Sequence, residues 1–473
     1  MSPDRVPRER VPLGEVRAVL AGHEAWVVGG TVRDRLLGRM TDDLDLALPD
    51  DPRDAAGALG RATGAAAFRL SGAFGAWRVV GRDAAWHVDL VRLRDGDIRA
   101  DLAARDFTVN AMAEPLGGGD LLDPHGGRAD LEGRRLRMVS AAALAEDPLR
   151  TLRAVRLAVG LGLQIEAETG AAITREAPGL ARVAAERVFG ELKHVLRAPA
   201  ARTGLGLMEA HGLTAHVLPE LAALQGVEQN VFHHLDVHDH TLEVLDRVIE
   251  LDQDPAGAGL GDYAEAAGAL LREPLADELT RGQAMRLAAL LHDAAKPWTR
   301  VQLAGGRIGF PGHDEEGARV AREVLMRLRA SARLVDHVAA LCRNHLRVGF
   351  MVHERPLDPR VVWRFLEATG PAAADVVLFT VADRLATRGR NADAAIAAHL
   401  EVAHVLLGAA LERRATGRPA PLVRGHDLVA ELGIDPGRAL GQLLAQLEED
   451  RFAGVIATRE DALRRARELS APG

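Results

Sequence analysis

WVVGGTVRDRLLGRMTDDLDLAL, residues 26–48, decides how the chain is read. Its apolar start is a strand, and Gly29 and Gly30 then permit a sharp turn that leaves backbone N–H groups accessible to a phosphate. Thr31 is expected to cap a short helix whose Val32, Leu36 and Leu37 face inward, with Gly38 ending it. Arg33, in its first turn, is a candidate triphosphate contact. DDLDLAL reads as strand again. Alternation puts Asp43 and Asp45 on one face and turns Leu44 and Leu46 to the core. Two carboxylates beside a phosphate-binding turn suit a pair of Mg²⁺ ions about 3.5–4 Å apart, the layout for in-line attack on an α-phosphate. Taken singly, the glycine pair is an ordinary turn and the aspartates are the wet face of an edge strand. The combination, in this order, carries the functional reading.

Working outward, WRVV (77–80) and WHVDLVRL (86–93) read as further strands, and Asp89 alternates onto a face where it is a candidate third carboxylate. Mixed strand and helix patterning runs from about residue 24 to 140, and helical periodicity follows from Glu146 almost to the end. Residues 256–269 read as a loop, and 414–425 as a linker before a small helical unit. A chain of 473 residues, 48% of them apolar, is large enough for several domains. Its net charge of −8 excludes a basic nucleic-acid coat, so a polyanion must find local arginine clusters. Lone Cys342 excludes an internal disulfide and fits a reducing compartment. The first residues, MSPDRVPRERV, lack the apolar core of a secretory signal, and no run of about 18 apolar residues is seen. A soluble cytoplasmic protein without a membrane segment is expected.

The series GGxVRDxLLG…DxD resembles the nucleotidyltransferase superfamily that includes class II tRNA CCA-adding enzymes and bacterial poly(A) polymerases. That resemblance implies a polymerase-beta-like α/β head followed by an all-α neck, an HD domain and a C-terminal helical unit. The expected bounds are 1–140, 141–225, 226–405 and 406–473. ARDFTVNAMA (104–113) resembles the family's RRDFTxNA segment. By that match Asp106 recognises the ribose 2′-hydroxyl and Arg105 supports the sugar-phosphate, while Ala104 stands where the family often has another Arg.

EDPLRTLRAVRLA (146–158) begins with an aspartate and a proline suited to a helix start. Asp147 only accepts hydrogen bonds and Arg150 only donates them. Three residues apart, they can point the same way and match the edges of cytosine and adenine while rejecting uracil and guanine. The segment resembles the family's EDxxR base-reading motif, with Glu146, Asp147 and Arg150 in place. Arg153 and Arg156 follow at helical spacing as candidate triphosphate or RNA contacts. ERVFGELKHVL (186–196) resembles the family's next helix and is assigned to packing.

HHLDVHDHTLEVL (233–245), LAALLHDAAKP (287–297) and VADRLAT (381–387) resemble an HD metal-phosphohydrolase domain. The implied ligands are His240, His292, Asp293 and Asp383, with His313 and His345 as candidates for a second metal and Lys296 as a phosphate contact. Mg, Mn, Ni or Fe fit such a donor set. In the tail, Arg424 and Arg438 are candidate tRNA phosphate contacts. The whole points to an enzyme that uses Mg²⁺ to add CCA, or only CC, from CTP and ATP to the tRNA 3′ end. The alternatives are a poly(A) polymerase, or chiefly an HD phosphohydrolase. The stretch from 93 to 104 is short where family members carry a longer loop, a feature associated with CC addition.

Overall fold

In the computed structural model, residues 11–71 and 75–470 are described. The N-terminal stretch read above as lacking a signal core lies almost wholly outside them. The chain forms two compact units, Met1–Val217 and Leu218–Gly473.

The first unit is built on a six-stranded sheet: β1 (Trp26–Val28), β2 (Asp43–Leu48), β3 (Ala66–Ser71), β4 (Ala76–Val80), β5 (His87–Arg92) and β6 (Ala113–Pro115). Their spatial order is β3-β4-β5-β2-β1-β6. Only β2 and β5 pair in parallel, which requires a crossover, here the helix Arg53–Thr63 and the β3–β4 hairpin. One face of the sheet is closed by Leu44, Leu46, Val79, Val88 and Leu90, all at most 2% exposed, against that helix. The other face is covered only in part, where Val28, Ala47 and Val91 meet Ile98 and Leu102. The rest of it is open and carries the polar side chains of β2 and β5. Helices Leu149–Leu161, Ala185–Arg197 and Ala201–Ala210 pack together within the first unit.

The sequence reading needs several local corrections. Thr31 lies inside helix Gly30–Leu36, not at its cap, because its hydroxyl is used to clip β2: it donates to Asp43 O (3.3 Å) and accepts from Asp45 N (2.9 Å). Leu36 is 37% exposed, since that helix is too short to turn a second apolar position inward. Helix Leu149–Leu161 begins one residue later than expected. The stretch 256–269 is largely ordered, as the turn Gly261–Tyr263 and the start of helix Ala264–Arg272. Strands β3 and β6 carry no strong alternation and were not expected.

The second unit is nearly all helix. Helices Val237–Gln253, Arg281–Leu291, His313–Arg327, Ala332–Asn344 and Ala373–Ala386 form its core. The tail helices Gly425–Leu432, Arg438–Phe452 and Arg459–Ser470 gather round Leu428, Leu447 and Ala466. Two segments are long and apolar enough to cross a membrane by length and composition, Pro359–Ala386 (mean hydropathy 1.4) and Ala392–Thr416 (1.7). Neither is an unbroken apolar run, since Asp375 interrupts the first and Glu401 the second. The first is interrupted by Gly370 and Pro371, and 78% of its most apolar window is buried inside the unit, against 44% for the second. A helix enclosed by protein is apolar all round for the same reason as one enclosed by lipid.

Candidate active site and metal centre

Parallel pairing of β2 with β5 sets Asp45 directly beside Asp89, and Asp43 beside His87. Three carboxylates thus converge on the open face. Asp43 is the most exposed, its side chain 70% accessible, and His87 Nδ1 lies 2.9 Å from its Oδ1. Asp89 is held by a two-pronged bond from Arg78, Nε to Oδ1 and Nη2 to Oδ2, both 2.7 Å. Among the described residues Asp45 has no such partner. Burial, then the nearby Asp89 charge, push its pKa up to about 6, with Asp43 adding to the rise and Arg105 and Arg33 opposing it. A carboxylate strained by two others is what a divalent cation relieves, so the donor set fits Mg²⁺.

The turn before this strand supplies the other wall. Gly29 adopts φ +67°, and a Cβ there would sit 2.7 Å from Arg105 Nη1. The positive φ favours glycine, and any side chain there would also have to displace the end of Arg105. Arg105 is steered by Asp101, whose Oδ2 accepts from Nε (3.1 Å) and Nη2 (2.9 Å). Arg33 bonds Asp34 through Nε and Nη2, both 2.9 Å, and Asn110 Oδ1 through Nη1 at 2.7 Å. Asn110 also donates to Asp106 Oδ1 (3.0 Å), which accepts from Phe107 N as well (2.7 Å). Asp106 is 7% exposed; burial raises its pKa, but Arg153 and these two donors outweigh that and hold it below the usual carboxylate range.

A cleft of about 570 Å³ joins these groups, lined by Gly29, Gly30, Arg33, Asp43, Asp45, Asp89, Arg105, Asp106, Arg150, Arg153 and Arg156 among others. Eleven expected residues therefore share one cavity. Glu146 and Asp147 do not line it. Glu146 is exposed, and Asp147 Oδ2 accepts from Arg187 Nη2 at 2.7 Å. Arg150 donates instead to Ala143 O (2.9 Å) and Ala104 O (3.1 Å), so Asp147 and Arg150 do not act on each other here.

Glu191 was missed. It was assigned to packing, yet its buried carboxylate takes Arg153 Nε (3.0 Å) and Arg156 Nε (2.8 Å), while Arg153 Nη1 also reaches Asp106 Oδ2 (3.2 Å). A charged residue at a helical position expected to be internal was the available signal. Arg78, His87, Asp101 and Asn110 were missed as well, because each is defined by a cross-strand or loop partner.

In the second unit four of the expected ligands, all histidines, converge on Asp293, and Asp383 joins them through His240. Its Oδ2 lies 3.2 Å from His292 Nε2 and 3.8 Å from His240 Nε2, and its Oδ1 lies 3.4 Å from His313 Nε2 and 3.8 Å from His345 Nε2. Asp383 Oδ1 is 3.2 Å from His240 Nε2. His292, His313 and His345 each spend Nδ1–H on a backbone carbonyl, of Ala289 (2.9 Å), Phe310 (2.6 Å) and Cys342 (2.6 Å). Nε2 is left as the inward lone pair. The lone pairs of His313 and His345 then face each other across 3.2 Å. A cation between them removes that repulsion, so the donors fit metal. Lys296 Nζ sits 2.6 Å from Asp293 Oδ2 and donates to Gln229 Oε1 at 2.6 Å. Arg424 and Arg438 are exposed.

Residues 25–137 match the poly A polymerase head domain, 162–225 the segment described as "Probable RNA and SrmB- binding site of polymerase A", and 237–388 the HD domain. Over 93% of its length the chain is 37% identical to an A-adding tRNA nucleotidyltransferase of Deinococcus radiodurans, of which it covers 94%. It is 36% identical, over 93% of itself and 92% of the relative, to a CC-adding tRNA nucleotidyltransferase of Thermus thermophilus. The chain belongs to the tRNA nucleotidyltransferase family. The fold of this tRNA nucleotidyltransferase is also that of a CCA-adding enzyme solved without ligand, with TM-score 0.64 at 18% identity over 98% of this chain and 94% of that one. A Thermotoga maritima CCA-adding enzyme in complex with tRNA gives 0.60 at 19%, over 97% and 94%.

Proposed function

We propose that the chain adds nucleotides from CTP and ATP to the 3′ end of tRNA in the cytoplasm, without a nucleic-acid template. The meeting of Asp43, Asp45 and Asp89 with the Gly29–Gly30 turn in one arginine-lined cleft carries this reading. Asp43 and Asp45 hold Mg²⁺, which supplies positive charge to make the 3′-hydroxyl more acidic and to offset the charge of the leaving group. The turn and Arg33 seat the triphosphate. The terminal 3′-oxygen bonds to the α-phosphorus, the bond from that phosphorus to the β-phosphate bridge breaks, pyrophosphate leaves with the electron pair, and the hydroxyl proton is released. Asp106 checks the ribose, with Arg105 and Arg153 holding the sugar-phosphate side. Asp147 and Arg150 read the base, Asp147 after leaving Arg187; Glu146 and Arg156 support them. The head is 1–140, the neck 141–225, the HD domain 226–405 and the tRNA-holding tail 406–473.

The histidine cluster holds divalent metal, Mg, Mn, Ni or Fe, with His240, His292, Asp293 and Asp383 on one side and His313, Asp293 and His345 on the other.

The test is single-nucleotide mapping of what the purified protein adds to tRNA lacking CCA, and to tRNA ending in CC, with Mg²⁺ and all four nucleotides. Growth by CCA, CC or A supports the reading and fixes the product. A long A tail makes it a poly(A) polymerase, and no growth on either tRNA sinks the reading in favour of an HD phosphohydrolase. One observation favours arrest after CC. Between β5 and helix Ile98–Ala103 the chain makes only the tight turn Arg94–Gly96, and Asp97 caps the helix at once by accepting from Ala100 N (3.0 Å). That leaves little chain to rearrange when the incoming base changes from C to A.

A further inference from the structure

The open face of the head sheet continues past the catalytic carboxylates. Register makes Asp45, Asp89, Arg78 and Phe68 successive neighbours across β2, β5, β4 and β3. Side chains at directly paired positions lie on the same face. The row therefore runs from two catalytic acids, through the arginine that clamps one of them, to a phenyl ring on the edge strand. Phe68 is 45% exposed, and Leu70, at the bulge where the β3–β4 register shifts between Arg69 and Ser71, is 47% exposed. Between them Arg69 alternates to the other side, as Ala67 does to pack on the core. Among the described residues of the first unit, Phe68 is the one Phe or Trp in the exposed class.

Both side chains stand partly in water. The patch is continuous with the cleft, since Arg78 lines the cleft and is the register partner of Phe68. With strands roughly 4.8 Å apart, Phe68 stands two strands, on the order of 10 Å, from Asp89. That suits the end of the acceptor strand, whose reactive hydroxyl must lie at the carboxylates while its base extends to one side. The triphosphate wall, made by Gly29, Gly30 and Arg33, lies on the opposite flank, on the β1 side of β2. Aromatic side chains on an open sheet are the usual stacking platforms for single-stranded bases, and they tolerate any base because every base has a π-face.

We propose that Phe68 is the stacking platform for the terminal base of the acceptor RNA, and that Arg78 links this platform to Asp89. The proposal rests on the nucleotide-adding function proposed above. It accounts for how one site accepts successive 3′ ends that differ in base, because stacking does not read hydrogen-bonding edges.

The test uses the full chain and a tRNA lacking CCA whose terminal base is 2-aminopurine, a fluorophore quenched by stacking. Wild type is expected to quench it on binding and Phe68→Ala to lose that quenching, while Phe68→Trp retains it. In steady-state addition, Phe68→Ala is expected to raise KM for tRNA by about 5- to 100-fold and leave KM for CTP unchanged. No quenching by wild type, or equal quenching by wild type and Phe68→Ala, overturns the proposal. So does an equal rise in KM for CTP, which marks a disturbed sheet, or a changed oligomeric state in Phe68→Ala, which marks a protein contact. Quenching by wild type without nucleotide addition leaves the platform standing and removes the catalytic reading, so the two fail separately.

Discussion

Glu191 Oε1 lies 3.0 Å from Arg153 Nε, and through that bond a helix remote in sequence sets the direction of a cleft arginine. Arg153 Nη1 reaches Asp106 at 3.2 Å, so Glu191, Arg153 and Asp106 form one chain of charge. Glu191→Gln removes the charge that aligns Arg153 and Arg156. A cleft arginine moved by an ångström costs on the order of 100-fold in kcat/KM for CTP. Both arginine side chains are 32% exposed, so water can take up part of their charge and the melting temperature should shift little. A large thermal shift with normal turnover per folded molecule would make Glu191 merely structural.

Asp45 implies a pH dependence for the metal-free protein. Its folded pKa, about 6, lies above the ordinary 3.8, so the folded state binds the extra proton between those values. Stability therefore falls as pH rises from 4 to 6, by on the order of 2–3 kcal/mol. Asp45→Asn is expected to raise the melting temperature in EDTA at pH 7.5 and to change nothing at pH 4. It should also abolish nucleotide addition. Equal melting of both proteins at pH 7.5 would show that the carboxylates are not in conflict.

Asp293 touches both halves of the histidine cluster, so its loss should differ from loss of a terminal ligand. Wild type is expected to carry two divalent ions per chain in this centre by elemental analysis, His313→Ala one, and Asp293→Ala none. Addition to tRNA should continue in all three. A single ion in wild type would reduce His313 and His345 to neighbours of the site.

Nucleotide choice is expected to separate two carboxylates. Asp106→Ala is expected to narrow the preference for CTP over dCTP by about tenfold or more, the worth of a charged hydrogen bond to a hydroxyl. Asp147→Ala should leave the sugar preference intact and let UTP compete with CTP. If both variants change the same preference, the division of labour is wrong.

The strand–turn–strand of residues 26–48 and the histidine–aspartate doublet were legible because each is local: alternation and short spacing place their side chains without knowledge of partners. Asp89 was legible as a candidate, but its pairing with Asp45 depends on a parallel register that no short stretch encodes. Arg78 and His87 became visible only once β4 and β5 were placed beside β2. Asp147 is the opposite case. Its spacing to Arg150 invited a joint role, and the folded chain gives each a different partner, because Arg187 arrives from a distant helix.

The parallel contact between β2 and β5 also bears on how the enzyme comes into being. No fragment that ends before residue 89 can hold the three acids together, and a slip of one residue would present Val88 or Leu90 in place of Asp89. During synthesis, the crossover helix and the hairpin must be finished before the cluster exists. Such a long-range closure is a slow step in folding. The nascent chain therefore cannot gather its three carboxylates early, and tight binding of a divalent cation there would report that β2 and β5 have closed on each other.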